Sequence, residues 1–322
     1  MFPCAVVYVS RGGKALHHDA FGTHTYADGA RPCSVDDLFD LASLTKLYTA
    51  TVALRLVEDG ALRMDEPVRR LLPEVDADWS VEDLLAHRTG TTAGLLEHAV
   101  ARGIRPCVPG QEAALWQVIF ECGAEVELAP GESHYSDVDF LLLQAVSERA
   151  TRRSLDVLLG ELGFDDTVFS PAESTCCVPT EVDERWRGRL VSGEVHDEMA
   201  HTLGGVAGHA GLFATAEAVG RFCEAWLTDD LLGADTRRRA FAPHSDHYGL
   251  GWRVCNEAFF APLARWGAVG HLGFTGTSAF VFPATQTVFV LLSNRVHPHR
   301  DAAPSRLPLL REIACAVANW HG

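Results

Sequence analysis

The sequence predicts an α/β (α+β) fold in which the two ends of the chain build one antiparallel sheet around an inserted, mainly helical segment. Three observations carry this. Short runs rich in β-branched and aromatic residues, joined by turn-forming residues, stand near both termini. The long stretch between them has apolar residues at helical spacing. Strands at both ends with helices between them pack as layers only if the ends meet in one sheet.

Taken in order, residues 5–9 and 14–17 are strand-like, and Ser10-Arg11-Gly12-Gly13 between them supplies glycines for a tight hairpin. Residues 277–282 and 287–293 form a second hairpin, joined through Pro283-Ala284-Thr285-Gln286. After residue 307, Leu310, Ile313, Val317 and Trp320 fall at helical spacing, so a terminal helix is expected to cover a sheet face. Further helices are expected over 81–87, 111–121, 137–148, 155–162 and 216–227. The expected division is a sheet domain of residues 1–66 and 240–322 and a helical domain of residues 67–239, with the active site in the cleft between them. A chain of 322 residues, 47% of them hydrophobic, can bury cores of that size.

Charge narrows the partners. With 43 acidic against 27 basic residues and a formal charge of −16, nucleic acid and anionic membranes are disfavoured. A small-molecule substrate fits better, and oligomeric state is not legible. No segment approaches the roughly 20 apolar residues of a membrane span. Met1-Phe2-Pro3 leads straight into a strand-like run without the regions of a signal peptide, so a cytoplasmic protein is expected, or an extracytoplasmic one if a signal has been removed. The nine cysteines include no C-x-x-C pair, and reduced, mostly buried thiols are expected. No cofactor is called for.

The most informative segment runs from Leu41 to Leu54, where Lys46 is the only charged residue. A helix apolar nearly all round is a buried one, so its single lysine stands out. Burial disfavours an ammonium, and a neutral Lys46 amine would serve as a base. A spacing of three places Ser43 and Lys46 on one helical face, nucleophile beside base, with Ser43 near the positive end of the helix. The plainer reading makes Ser43 a helix cap and lets Lys46 reach solvent. Asp59-Gly60 marks the helix end.

Two further motifs follow in order. Pro130-Gly131-Glu132-Ser133-His134-Tyr135-Ser136-Asp137 contains a Pro-Gly turn and a Tyr-x-Asp element, and Gly270-His271-Leu272-Gly273-Phe274-Thr275-Gly276-Thr277 contains a His-x-Gly element. Together with Ser43-Leu44-Thr45-Lys46 they resemble the three motifs of the serine β-lactamases and penicillin-binding proteins, in the branch holding class C β-lactamases, DD-peptidases and related esterases. Residues 84–90, 203–214, 248–252 and 293–295 agree, so the likeness spans nearly the whole chain.

The resemblance implies the β-lactamase/transpeptidase-like fold. It also implies that Ser43 attacks a carbonyl, that Lys46 and Tyr135 share proton transfer, and that the Ser43 and Phe274 amides form the oxyanion hole, with Gly273 and Asp137 bordering the substrate. His271 would support the proton network and a substrate carboxylate. Two departures bear on substrate. Asp137 replaces an asparagine, trading an amide donor for a carboxylate that only accepts, which puts contact with a β-lactam amide in doubt. His271 in place of lysine weakens the fixed positive charge.

Rival sites are weaker. The glycine-rich run 204–211 lacks the preceding strand and the lysine of a phosphate loop, and is expected to pack near the cleft, with Thr215 capping the next helix. His196, Asp197, Glu198, His201 and His209 lack a familiar metal spacing and are expected to make polar contacts within their loop. His17-His18 and His297-Pro298-His299 are expected at the surface. The expected function is a serine hydrolase or acyltransferase acting on small esters, amides or β-lactams through an acyl-Ser43 intermediate, as an esterase, a D-amino-acid peptidase or a weak β-lactamase. The alternative is a penicillin-binding sensor or scavenger that acylates with little turnover.

Overall fold

A computed structural model describes residues 2–172, 176–256 and 259–318. Six strands form the large sheet: β1 (Cys4–Arg11), β2 (Lys14–Gly22), β3 (Arg253–Val254), β4 (Val269–Leu272), β5 (Ser278–Phe282) and β6 (Thr287–Ser293). Their spatial order is β2-β1-β6-β5-β4-β3, antiparallel throughout. Val7 stands opposite Leu291 and Ala279 opposite Val290, so the two ends of the chain meet in the centre of one sheet.

Side chains alternate across that sheet because successive residues of a strand point to opposite faces. Val6, Tyr8, Ala279, Val281, Val288, Val290 and Leu292 join the large core shared with the helices. Val7, Val9, Phe280, Phe282, Phe289 and Leu291 join a second cluster on the other face. The terminal helix, Leu307–Ala318, covers that second face through Leu310 and Val317. Trp320 lies outside the described residues.

Three helices matter for the site. Helix α1 (Thr45–Glu58) is buried from Thr45 to Leu54, as its uniform apolarity requires, and Asp59 caps it before Gly60 turns at φ 74°. Helix α2 (Asp137–Thr151) packs on α1; Ser136 caps it by accepting the Val138 N–H at 3.1 Å. The other expected helices appear at Val81–Leu85, Glu112–Phe120 and Leu155–Gly160.

Helix α3 (Ala216–Ala225) departs from the expected division. It packs against β1, β5 and β6 and so belongs with the sheet, not with the helical segment 67–239. A Cβ on Gly220 would lie 2.3 Å from the Tyr8 ring, which shows how closely the helix approaches.

Two further expectations are corrected. Cys4 and Cys33 are disulfide-bonded across 29 residues, so the thiols are not all reduced. His297 is buried, its Nδ1 3.2 Å from the Thr180 carbonyl, because the 293–299 segment folds inward. Asn294 in that segment is a clamp: its side chain accepts the Cys4 N–H at 3.0 Å and donates to the His24 and Pro179 carbonyls at 2.9 and 3.0 Å.

Candidate active site

Ser43 sits in a short 3₁₀ turn, Ala42–Leu44, that runs into α1. Ala42 before it is held at φ 47°, a left-handed conformation that costs a residue with a Cβ about 1–2 kcal/mol. The buried Asp40 offsets this by accepting the Ala42 N–H at 2.8 Å and the His196 N–H at 2.6 Å. Burial raises the Asp40 pKa above the ordinary value, against those bonds and His196.

The third motif is docked on this turn. Thr275 and Thr277 hydroxyls donate to the Asp40 and Leu41 carbonyls, each at 2.8 Å. A Cβ at Gly273 would stand 2.0 Å from Thr277 Oγ1 and 2.4 Å from the Leu41 carbonyl oxygen, so the close approach needs glycine. The loop thereby sets Phe274 beside the Ser43 turn, and the Phe274 N–H meets no acceptor among the described residues.

Ser43, Lys46, Tyr135 and Asp137 come together as the spacing and motif order suggested. Tyr135 donates its hydroxyl to Ser43 Oγ at 2.9 Å. The fully buried Lys46 donates to Asp137 Oδ1 at 2.6 Å, to Ser43 Oγ at 3.2 Å and to the His209 carbonyl at 3.3 Å. Three acceptors match the three N–H bonds of an ammonium. Burial alone would push the Lys46 pKa down, but Asp137 and Tyr135 outweigh it and hold the ammonium above its usual value. The expectation of a neutral Lys46 amine is therefore corrected for the resting site, and the reason is Asp137.

Tyr135 rests protonated as well. Protein atoms crowding its phenol, with Asp137 nearby, raise its pKa against the pull of Lys46, although 36% of the residue is exposed. His271 is 4% exposed, and burial, followed by Lys46 and His87, holds its pKa well below the ordinary value. A neutral imidazole whose Nδ1 lies 3.1 Å from the Leu272 carbonyl carries its hydrogen on Nδ1 and leaves Nε2 as the acceptor. His271 thus supplies no positive charge for a substrate carboxylate, contrary to the role the resemblance implied.

The cleft encloses about 570 Å³ and is lined by Ser43, Tyr135, Asp137, His271 and Phe274 among others. The 204–211 loop backs it as expected: Thr49 donates to the Gly208 carbonyl at 2.8 Å, and Thr215 caps α3. Of the loop residues, His209 makes the expected contact within the loop, with Asp197 at 2.9 Å, whereas His196 reaches Glu181 at 2.8 Å and Glu198 reaches Arg300 at 2.7 Å, both outside it. Donor atoms of Asp137, Asp197 and His209 gather within 4.8 Å of one another, but the cation that Asp137 faces is Lys46.

Other contributors were not among the predicted site residues, although His87 and Thr89 lie in the 84–90 segment that carries part of the resemblance. His87 and Asp139 form a fully buried pair at 2.8 Å, with Thr89 and Thr91 also donating to Asp139. The His87 ring lies 4.9 Å from the Tyr135 ring and backs it. Arg253, Arg300 and Arg306 also line the cleft, from segments whose sequence carries no motif.

Comparison with known proteins adds the family. The model described as Beta-lactamase matches residues 1–311. A protein of Escherichia coli (strain K12) named "Putative D-alanyl-D-alanine carboxypeptidase" is 28% identical over 99% of this chain and 85% of its own. A relative of the same name from Salmonella typhimurium is 30% identical over 92% and 79% of the two chains. Among solved structures, "EstCE1, a hydrolase with promiscuous acyltransferase activity" superposes with a TM-score of 0.75 at 20% identity, over 98% of this chain and 93% of the other. The octameric penicillin-binding protein homologue from Pyrococcus abyssi gives 0.72 at 17% identity, over 96% and 73%. These structural likenesses support the β-lactamase/transpeptidase-like fold.

Proposed function

The chain belongs to the beta-lactamase family and is a hydrolase of that family, and from this premise we propose that it cleaves small esters or amides through an acyl-Ser43 intermediate. The observation that carries the proposal is the convergence of Tyr135 Oη and Lys46 Nζ on Ser43 Oγ, at 2.9 and 3.2 Å. A serine hydroxyl is a weak nucleophile until a neighbouring group takes its proton.

The chemistry follows from those contacts. Once Lys46 has released a proton, its amine takes the Ser43 hydroxyl proton as Oγ bonds to the substrate carbonyl carbon. The negative charge then forming on the carbonyl oxygen faces the Ser43 and Phe274 amides. Collapse breaks the bond to the leaving group, which accepts a proton passed through Tyr135, standing between Ser43 and the open cleft. Water, or another acceptor, then attacks the acyl-serine and regenerates Ser43. Lys46 is the favoured base because it is the group whose proton Asp137 is placed to hold.

The carboxypeptidase names of the sequence relatives favour peptides ending in D-amino acids among the substrates. The Asp137 carboxylate, already engaged by Lys46, disfavours efficient β-lactam hydrolysis. The test is multiple-turnover kinetics on p-nitrophenyl acetate, a D-alanyl-D-alanine peptide and a fluorescent penicillin. Turnover of the ester or the peptide supports the proposal. A single burst of stable penicillin adduct without turnover would replace it with a penicillin-binding sensor.

A further inference from the structure

Outside the cleft, His24, Asp37 and Cys176 bring an imidazole, a carboxylate and a thiol together, and none of the three lines the active site. One ligand atom from each lies within 4.8 Å of the other two. His24 Nε2 stands 2.8 Å from Asp37 Oδ2; Asp37 is fully buried and His24 is 8% exposed. Cys176 is half-buried and carries a free thiol. A tetrahedral zinc ion with bonds of roughly 2.0–2.3 Å holds its ligand atoms about 3.3–3.8 Å apart, so side-chain shifts of about 1 Å close this set around one ion.

Each donor is anchored from behind. The His24 N–H donates to the Arg31 carbonyl at 2.8 Å, and the His24 carbonyl accepts from the Asn294 side chain at 2.9 Å. Asp37 Oδ2 accepts the Ser34 N–H at 2.7 Å, which orients the carboxylate, and the Cys176 carbonyl accepts the Leu38 N–H at 2.9 Å. Outer hydrogen bonds of this kind set ligand orientation at metal centres. Burial, followed by the hydrogen bond to Asp37 and its charge, raises the Cys176 pKa, so the thiol holds a proton that an entering metal ion would displace. A thiolate and a carboxylate together balance a divalent ion, and the net charge of −16 draws cations to the surface. The competing cation is Arg31, 3.3 Å from the other oxygen of Asp37, but its side chain is 58% exposed and reaches solvent.

We propose that His24, Asp37 and Cys176 form a zinc site, with the fourth tetrahedral position left for water. Nitrogen, oxygen and sulfur ligands together select zinc over magnesium and calcium, which prefer oxygen alone. Cys4 and Cys33 also lie near Asp37, but their sulfurs are bonded to each other and are not ligands.

The experiment titrates the full chain without reductant, so that Cys4 and Cys33 stay paired, using Zn²⁺ in competition with a chromophoric chelator and Co²⁺ as an absorbing substitute. The parent binds a Zn²⁺ ion that excess Mg²⁺ does not displace. Its Co²⁺ form shows the visible absorption of a tetrahedral ion and a thiolate-to-cobalt charge-transfer band. Cys176→Ser and His24→Gln each weaken Zn²⁺ binding by at least about tenfold to a hundredfold, a loss that even changes to outer contacts produce at metal sites. Cys176→Ser also abolishes the charge-transfer band. Zn²⁺ raises the melting temperature of the parent more than that of either variant. A parent that binds no Zn²⁺, or an affinity and a charge-transfer band unchanged by Cys176→Ser, would overturn the site. If His24→Gln does not fold, Cys176→Ser, an exchange of sulfur for oxygen at a half-buried position, carries the same comparison.

Discussion

Asp137 Oδ1 lies 2.6 Å from Lys46 Nζ, closer than any other partner of that lysine, and this contact keeps the proposed general base of the site protonated at rest. A base held in its acid form gives activity that rises with pH, because only the deprotonated fraction reacts. Asp137→Asn removes the larger of the two influences that raise the Lys46 pKa and leaves burial, which lowers it, opposed by Tyr135 alone. The rise in kcat/KM is expected to move to lower pH by about one unit or more. A pH profile of both proteins on one neutral ester checks this, and an unmoved profile would exclude Lys46 as the titrating base.

The same substitution carries a stability cost of known sign. A lysine whose folded pKa is raised stabilises the fold fully below its unfolded value and loses that contribution only as pH rises through the folded pKa. Neutral pH lies well below both, so Asp137→Asn should lose the full contribution there, about 3 kcal/mol or more for breaking a buried pair. Urea denaturation at pH 7 measures it.

Tyr135 touches Ser43, the proposed nucleophile, with its hydroxyl and packs by its ring, so the two roles separate in Tyr135→Phe. The ring contact with His87 is retained while the 2.9 Å bond to Ser43 is lost. kcat should fall on the order of 10²- to 10⁴-fold, the usual contribution of a proton-transfer group. The melting temperature should change little. A large thermal loss with kcat preserved would reverse the assignment.

Gly273→Ala places a methyl group against Thr277 Oγ1 and the Leu41 carbonyl. Overpacking of this kind costs about 1–3 kcal/mol. Because the displaced atoms join the third motif to the Ser43 turn, kcat should fall together with stability. Activity retained in full would show that the docking of this loop does not set the nucleophile.

The Cys4–Cys33 bond withdraws two of the nine cysteines from the thiol pool. Thiol titration of the denatured protein should therefore rise by two for this pair on reduction, and an unchanged count would contradict the pairing. Closing a loop of this length stabilises a chain by roughly 3–4 kcal/mol, so reduction should lower the melting temperature.

Much of this architecture can be read from local pattern. The two hairpins, the buried α1 helix and the meeting of Ser43 with Lys46 follow from spacing alone, because each depends on residues close in sequence. Tyr135 and Phe274 were found through motif order. What local pattern could not supply is contact at long range. The protonation of Lys46 is set by Asp137, 91 residues away. An amphipathic pattern shows that the helix Ala216–Ala225 has an apolar face but not that the sheet receives it. Cysteine spacing likewise does not reveal that Cys4 and Cys33 have Cα atoms 5.7 Å apart.

The measurement that bears on everything above is intact mass after a short incubation with p-nitrophenyl acetate, followed by peptide mapping, for the parent and for Ser43→Ala. Transient acylation confined to the peptide that holds Ser43, absent together with p-nitrophenol release in Ser43→Ala, is the expected result. Equal release by both proteins, or an adduct mapped to another residue, would contradict Ser43 as the nucleophile.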